Sequence, residues 1–445
     1  MKIFNTLTNT LETFKPIHKN TVNMYVCGPT VYNYIQIGNA RPVIFFDVVR
    51  RYFEYKGYTV NFVSNFTDVD DKIITKAIED ETTEKVIAEK FIQAFYEDVE
   101  RVGSSTKYLA PRVTEYMSSI IHYIEQLIYK DFAYSIDGDV YFRVSKIKDY
   151  GILSGRKIDE LQSGSRIEVN TKKENPLDFT LWKTTDVGIK YPSPWGEGRP
   201  GWHTECVAMI EDIFGGKIDI HGGGQDLMFP HHENEIAQHQ ALHQEVVANY
   251  WMHNGFLNID NKKMSKSDNN YIFVKDLDTD YMGFRLFTLS THYRAPINYT
   301  DEALKHYVAE WDKLKRSYSQ AFYALDLAEY LDESVEENDD LKKIRKAFEV
   351  ALDQDFNTPN AITELQNLAK YTNQKVRQKD GFDALLASLN LFEDFFEVLG
   401  LKPGVSRMSK ATRSIYMEWA DARKNKDFDK ADRLRDALTE KGVLS

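Results

Sequence analysis

Two stretches decide the fold: Asn23-Met24-Tyr25-Val26-Cys27-Gly28 and Gly38-Asn39-Ala40-Arg41-Pro42. The first is an apolar run closed by glycine and reads as a strand over Asn23 to Val26. The second opens a helix, with Pro42 suited to its first turn, where a missing N–H costs nothing. That helix carries Phe45, Val48, Val49, Tyr52 and Phe53 at helical spacing and stops at Lys56-Gly57. Tyr58 to Val63 is the next strand. Residues from about Val22 to Val63 therefore form a βαβ unit, whose loop into the helix N-terminus is where α/β proteins hold phosphates.

Working outward, about Asp80 to Gln126 reads as helical, and about Asp137 to Trp195 as an inserted β-rich module around Val140-Tyr141-Phe142. Lys217 to His221 is a strand running into Gly222-Gly223-Gly224, and His231 to Gln240 a helix. Beyond about Asp301 the chain turns Ala-, Leu-, Glu- and Lys-rich with few glycines, as a helical bundle does. An acidic, solvated stretch interrupts it near Glu333 to Asp340, and Gly400 to Met408 is a linker. These segments read as an α/β domain with an inserted β-rich module, followed by an α-helical bundle.

Composition narrows the function classes. The 445 residues are enough for two or three domains. No stretch has the apolar length of a membrane span, and Met1-Lys2-Ile3-Phe4-Asn5 lacks the layout of a secretory signal. Two cysteines far apart are no disulfide framework, so a reducing cytoplasm is expected. A net charge of −12 argues against a non-specific nucleic-acid binder but allows a local basic face for one folded RNA.

Those two cysteines, Cys27 and Cys206, sit in motif-like surroundings, and His231-His232-Glu233-Asn234-Glu235 places His and Glu at i, i+4. Two thiols with one such pair can close one tetrahedral zinc site, and thiols select zinc over magnesium or calcium. Three further segments suit a nucleotide. Lys263-Met264-Ser265-Lys266-Ser267 can fold over a triphosphate and set two ammonium groups against the leaving pyrophosphate. Upstream, Gly38 permits close backbone approach, and Gln36 and Asn39 offer side-chain donors. Gly222, Gly223 and Gly224 end a strand beside Asp226, whose carboxylate can accept from ribose hydroxyls. A solvated turn explains any one of these alone; all three in this order make that reading poor.

With these segments in view, the chain resembles the class I aminoacyl-tRNA synthetases, and within them the cysteinyl-tRNA synthetase family. The resemblance rests on Tyr25-Val26-Cys27-Gly28-Pro29-Thr30-Val31-Tyr32, Asn65-Phe66-Thr67-Asp68-Val69-Asp70-Asp71-Lys72, Arg199-Pro200-Gly201-Trp202-His203-Thr204-Glu205-Cys206, the Gly222-to-Glu235 block, the Lys263-to-Ser267 loop and Asp355-Phe356-Asn357-Thr358-Pro359. It implies the α/β fold class with a Rossmann-type parallel-sheet catalytic domain over 1–300, carrying an inserted acceptor-end module at about 105–200 and a loop and stem-contact region at about 255–300. A helical tRNA-binding domain over 301–400 and a shortened helical segment over 409–445 follow.

The resemblance also implies the reaction: cysteine and ATP give cysteinyl-adenylate and pyrophosphate, then transfer to tRNA(Cys). It places one zinc at Cys27, Cys206, His231 and Glu235, the amino acid at Gly28, Thr67 and Trp202, and ATP, with magnesium, at Gly38, Gly222, Gly224, Asp226 and Lys266. Gln36, Asn39, Lys263 and Lys266 then serve the phosphate chemistry, in a cytoplasmic monomer. Zinc would separate cysteine from serine, which differ by one atom: it binds the soft thiolate, while an apolar pocket discriminates isosteres weakly.

Three departures from the family pattern stand out. Gln36 replaces a histidine, Asp268-Asn269-Asn270 replaces Leu-Gly-Asn, and the chain stops at Gly442-Val443-Leu444-Ser445, short of an element that contacts the anticodon. Glutamine donates a hydrogen bond but carries no charge. These departures keep two other readings open: a paralogue that passes activated cysteine to a small amine or carrier, and a non-catalytic cysteine- or tRNA-sensing module.

Overall fold

The computed structural model describes residues 1–156, 172–264, 270–378, 381–441 and 443. The chain divides into two compact units, Met1–Leu277 with Tyr293–Asn298, and Asp278–His292 with Tyr299–Ser445. The division is interleaved rather than a single cut at residue 300. Among the described residues no helix is long and apolar enough to cross a membrane.

In the first unit, β1 (Lys2–Asn5) and β2 (Thr10–Thr13) form a hairpin ahead of β3 (Thr21–Val26). Helix α1 (Ile37–Tyr55) then returns the chain to β4 (Thr59–Ser64), parallel to β3. Ile37, Ala40, Arg41, Ile44, Val48 and Tyr52 share the buried face of α1 at helical spacing. Its start departs from expectation. The helix begins at Ile37, so Pro42 lies in its second turn, not its first. Backbone pairing forces the early start: Ile37 N donates to Ile272 O at 3.0 Å and Gln36 bridges Phe273. Proline at 42 leaves the Gly38 carbonyl without its i+4 donor, beside the nucleotide segment.

The helical stretch expected over Asp80–Gln126 is broken. α2 (Asp71–Glu79) and α3 (Glu84–Arg101) end before an irregular segment, and α4 (Met117–Tyr129) starts beyond it. Gly103 at φ 78° stops α3. The segment pairs with the chain after β4 instead, Ser64 N donating to Leu109 O and Phe66 N to Pro111 O. The inserted module is an antiparallel sheet of β5 (Ala133–Ile136), β6 (Asp139–Phe142), β7 (Phe179–Thr184) and β8 (Gly198–Pro200), in that order. Tyr134 Oη and Val144 N both donate to buried Asp178, which pins its core.

The chain then returns to the parallel sheet through α5 (Glu205–Phe214), β9 (Ile218–Gly224), α6 (Glu233–His243) and β10 (Ala248–Asn254). The strand order is β10-β9-β3-β4, all parallel. From β3 the chain leaves toward β4 on one side and β9 pairs on the other. The carboxyl ends of β3 and β9 therefore flank a topological switch point, where sheets of this class bind ligands. β11 (Leu257–Ile259) and β12 (Lys262–Lys263) form a short antiparallel pair beyond β10.

The second unit contains α7 (Tyr281–Leu289), α8 (Asp301–Leu327), α9 (Asp339–Asp353), α10 (Thr358–Gln378), α11 (Phe382–Leu399), α12 (Lys410–Lys424) and α13 (Phe428–Glu440). Thr300 and Asn338 cap α8 and α9 through their side chains. Phe348 stacks on Phe395 with centroids 3.7 Å apart, and Thr358 Oγ1 donates to Leu289 O at 2.7 Å, tying α10 to α7. The acidic break lies between α8 and α9, as its composition implies, and residues 401–409 are irregular.

Candidate active site

A cavity of about 540 Å³ opens at the carboxyl ends of β3, β9 and β10. Cys27, Gly28, Gln36, Gly38, Asn39, Trp202, Gly224, Asp226 and Lys263 line it, bringing together sequence segments more than two hundred residues apart. Gly28 is there because a side chain cannot be: a Cβ would meet Asn65 O at 1.6 Å. Gly28 N donates in turn to Asn65 Oδ1 at 3.0 Å, which fixes the end of β3 against the end of β4.

Below Cys27 lies a buried donor cluster. Cys27 Sγ is 3.6 Å from Cys206 Sγ and 3.6 Å from Glu235 Oε1. Cys206 Sγ is 3.7 Å from His231 Nε2, and His231 Nε2 is 3.0 Å from Glu235 Oε1. Cys206, at the start of α5, and His231 and Glu235 are all buried. His231 sits in a π-helical turn, Met228–His232, just before α6 rather than inside it. The turn preserves the four-residue approach to Glu235. This group could hold a metal ion.

Electrostatics prepare the cluster for a cation. The hydrogen bond from the Cys27 thiol, opposed by burial, brings Cys206 down to about 6, into the thiolate range. Burial, with that same bond, pushes the Cys27 thiol well up. Burial would raise Glu235, but His221 and His231 hold it well below the usual carboxylate range. Burial would lower His231, but the Glu235 carboxylate carries it up to about 10. Protein alone therefore keeps an imidazolium–carboxylate pair in the floor, and a metal ion would displace that proton.

Several partners escaped sequence reasoning. His221 Nε2 bonds Glu235 Oε2 at 2.7 Å and stacks on Trp251, and the His203 and His231 Nδ1 atoms lie 3.1 Å apart. His232 Nε2 lies 3.3 Å from Cys27 Sγ, and its Nδ1 is 2.8 Å from His253 Nε2. A second donor set, Cys27, His221, His232 and Glu235, shares the same floor. Adjacent histidines and a histidine preceding three glycines were the available signals, and neither says which ring points inward.

The remaining expected residues divide. Trp202 is 43% exposed and stacks on His231 at 4.5 Å, so it forms a wall of the cavity and not part of the core. Thr67 is buried, its Oγ1 donating to Glu205 Oε2 at 2.9 Å, and does not line the cavity. Gly222 does not line it either. A Cβ there would meet Phe46 Cζ at 2.2 Å, so its smallness lets α1 pack on β9. Lys263 Nζ lies over the Phe256 ring, 4.6 Å from its centroid. Lys266 and Asp268 lie outside the described residues. Arg41, unforeseen, is buried and donates to Gly255 O at 2.6 Å, tying α1 to the loop after β10; burial lowers it to about 10.

A parallel sheet with a ligand cavity and a donor cluster at its switch point defines a nucleotide-binding α/β enzyme class. Residues 13–309 match the family described as the tRNA synthetases class I (C) catalytic domain, and residues 347–402 match the DALR domain. The chain belongs to this class I tRNA synthetase family. It is 48% identical over 450 residues to the cysteine–tRNA ligase of Anoxybacillus flavithermus, covering 100% of this chain and 97% of that relative. Identity to the cysteine–tRNA ligase of Bacillus licheniformis is also 48%, over 452 residues, 100% of this chain and 96% of the relative. Among solved structures, Mycobacterium tuberculosis methionyl-tRNA synthetase in complex with methionyl-adenylate superposes with a TM-score of 0.60 at 15% identity, over 90% of this chain and 93% of that one. A likeness that distant speaks for the fold alone.

Proposed function

We propose that this chain is a cysteine–tRNA ligase that activates L-cysteine with ATP and transfers it to tRNA(Cys) in the cytoplasm. The observation that carries the reading is the donor cluster forming the floor of the nucleotide-type cavity. A site for a soft side chain thus lies directly beside a site for ATP. The end-to-end likeness to proteins named cysteine–tRNA ligase supports it.

The metal would be zinc, and Cys27, Cys206, His231 and Glu235 are the residues that would hold it. Bonds of about 2.0–2.3 Å to zinc would give tetrahedral edges of roughly 3.3–3.8 Å. The four edges above run from 3.0 to 3.7 Å, so modest adjustment suffices. The alternative set lacks a second thiol, and its His221 is already bonded to Glu235, the kind of outer contact that orients a ligand. Zinc bound there supplies a soft Lewis acid that favours a thiolate over the hydroxyl of serine.

The chain's own residues do the rest. Trp202, stacked on His231, walls the amino-acid pocket and keeps water from the side chain. Gly28 and the Thr67–Glu205 pair hold the strand ends around the substrate. Gly38 and Gly224 admit ATP against the backbone, and Asp226 accepts from its ribose. Gln36 and Asn39 donate to the phosphates, and Lys263 and Lys266 meet the charge of the departing pyrophosphate. The residues over 301–445 face the tRNA, with the inserted module over about 105–200 at its acceptor end.

Cysteine-dependent ATP–pyrophosphate exchange followed by charging of tRNA(Cys) tests the proposal. Exchange with cysteine but not serine, and charged tRNA, are expected. Robust exchange with no charging would reject the tRNA acceptor, and equal exchange with serine would reject the metal's role.

A further inference from the structure

The far ends of α5 and α6 hold another set of donors. Glu211 lies on α5, five residues beyond Cys206; His239 and His243 lie on α6, four and eight residues beyond Glu235. Their ligand atoms all lie within 4.8 Å of one another, and Glu211 Oε2 is 3.0 Å from His243 Nε2. The two imidazoles stack with centroids 4.4 Å apart. None of the three belongs to the cavity or to the donor cluster beneath it.

His239 is what makes this more than a surface ion pair. It is 1% exposed, yet neither ring nitrogen has a hydrogen-bond partner among the described residues. A buried imidazole without partners leaves its desolvation uncompensated, which native proteins rarely tolerate without a reason. Burial, with the neighbouring His243, lowers His239 to about 3, so at neutral pH it keeps a lone pair free for a ligand bond. Glu211 and His243 are each about one-third exposed, which leaves a path from solvent. Gly216 sits at the mouth: a Cβ there would come within 4.0 Å of His239 Cε1.

We propose that Glu211, His239 and His243 form a second metal site for a borderline divalent transition ion, zinc being the probe. Two imidazoles and one carboxylate are a zinc donor set, and the exposed side leaves a position for water. Lacking thiolates, the site is more readily exchangeable than the Cys27 cluster. Its ligands join α5 to α6, the helices that carry Cys206 and Glu235. Occupancy would clamp those helices at their far ends and brace the floor of the cavity.

The test is equilibrium dialysis of the full-length protein against buffered zinc, with metal analysis, comparing wild type with His243→Ala and Glu211→Gln. Both residues are partly exposed, so both variants should fold. Wild type is expected to hold one more zinc per chain than either variant. The comparison is a difference, so it reads the same whether or not the Cys27 cluster is loaded. Equal zinc in all three proteins would overturn the site. Loss in His243→Ala but not in Glu211→Gln would also overturn the three-ligand proposal, since the carboxylate would then contribute nothing.

Discussion

The two ends of the cavity are built differently. At the floor, Cys206, His231 and Glu235 are buried and interlocked, with His203 and His221 bonded behind them. At the phosphate end Gln36 is half-buried, Asn39 and Lys263 are exposed, and Gln36 makes no side-chain cap for the helix it precedes. The floor is preorganised: its donors are buried and bonded to one another before any ligand arrives, and its thiolate and carboxylate outnumber the one imidazolium, which leaves it suited to a cation. At the other end, the one proposed for the phosphates, the donors are half-buried to exposed, and Lys263 rests over the Phe256 ring. On the proposed reading, selectivity would belong to the rigid end and turnover to the adaptable one.

The largest expected effect strikes the floor. Cys27→Ser should lose the bound metal and cut cysteine-dependent exchange by more than about 100-fold, with the preference over serine collapsing, since even outer contacts of metal sites cost 10–100-fold. Metal analysis beside exchange with both amino acids measures it; undiminished metal would remove Cys27 from the ligand set. Next comes the phosphate end. Lys266→Ala should slow exchange by ~10²–10³ while the metal content stays unchanged, as for other lost donors to a developing charge. If metal fell as well, the two ends would not be separable.

Trp202→Ala strikes their boundary. Removing the ring stacked on His231 should raise the KM for cysteine by up to about 10-fold, as suits an aromatic contact of about 0.5–1.5 kcal/mol, with the KM for ATP little changed. A larger change in the ATP constant would place Trp202 at the wrong end. The smallest effect should come from Gln36→His, which restores a donor that can carry charge: exchange rising by a few-fold. Unchanged or slower exchange would count against Gln36 facing the phosphates.

Much of this contrast was legible in the chain. The alternation of apolar strands and amphipathic helix over residues 22–63 is a local pattern, and the parallel pairing of β3 and β4 follows it. Legibility failed where long-range packing intervened. Pro42 read as a helix start, until pairing of Gln36 with Phe273 drew the helix back to Ile37. Gly222 read as a nucleotide contact because it stands beside Gly223 and Gly224, yet Phe46 fills the space above it. Asp80 to Gln126 read as helical although Gly103 and Pro111 interrupt it, and nothing local announces that residues 109–112 pair beside β4.

By itself the sequence determined the class of fold, the donor types and the order of the nucleotide segments, since spacing and side-chain chemistry are local properties. Only tertiary structure decided which donors meet. Cys27 and Cys206 are 179 residues apart, and no periodicity reports on that distance. Which thiol each of two adjacent histidines faces, Cys206 for His231 and Cys27 for His232, depends on how the turn before α6 packs against elements distant in the chain. So does the burial of His239 with no hydrogen-bond partner among the described residues, because a ring's hydrogen bonds are set by neighbours that the chain brings in from elsewhere.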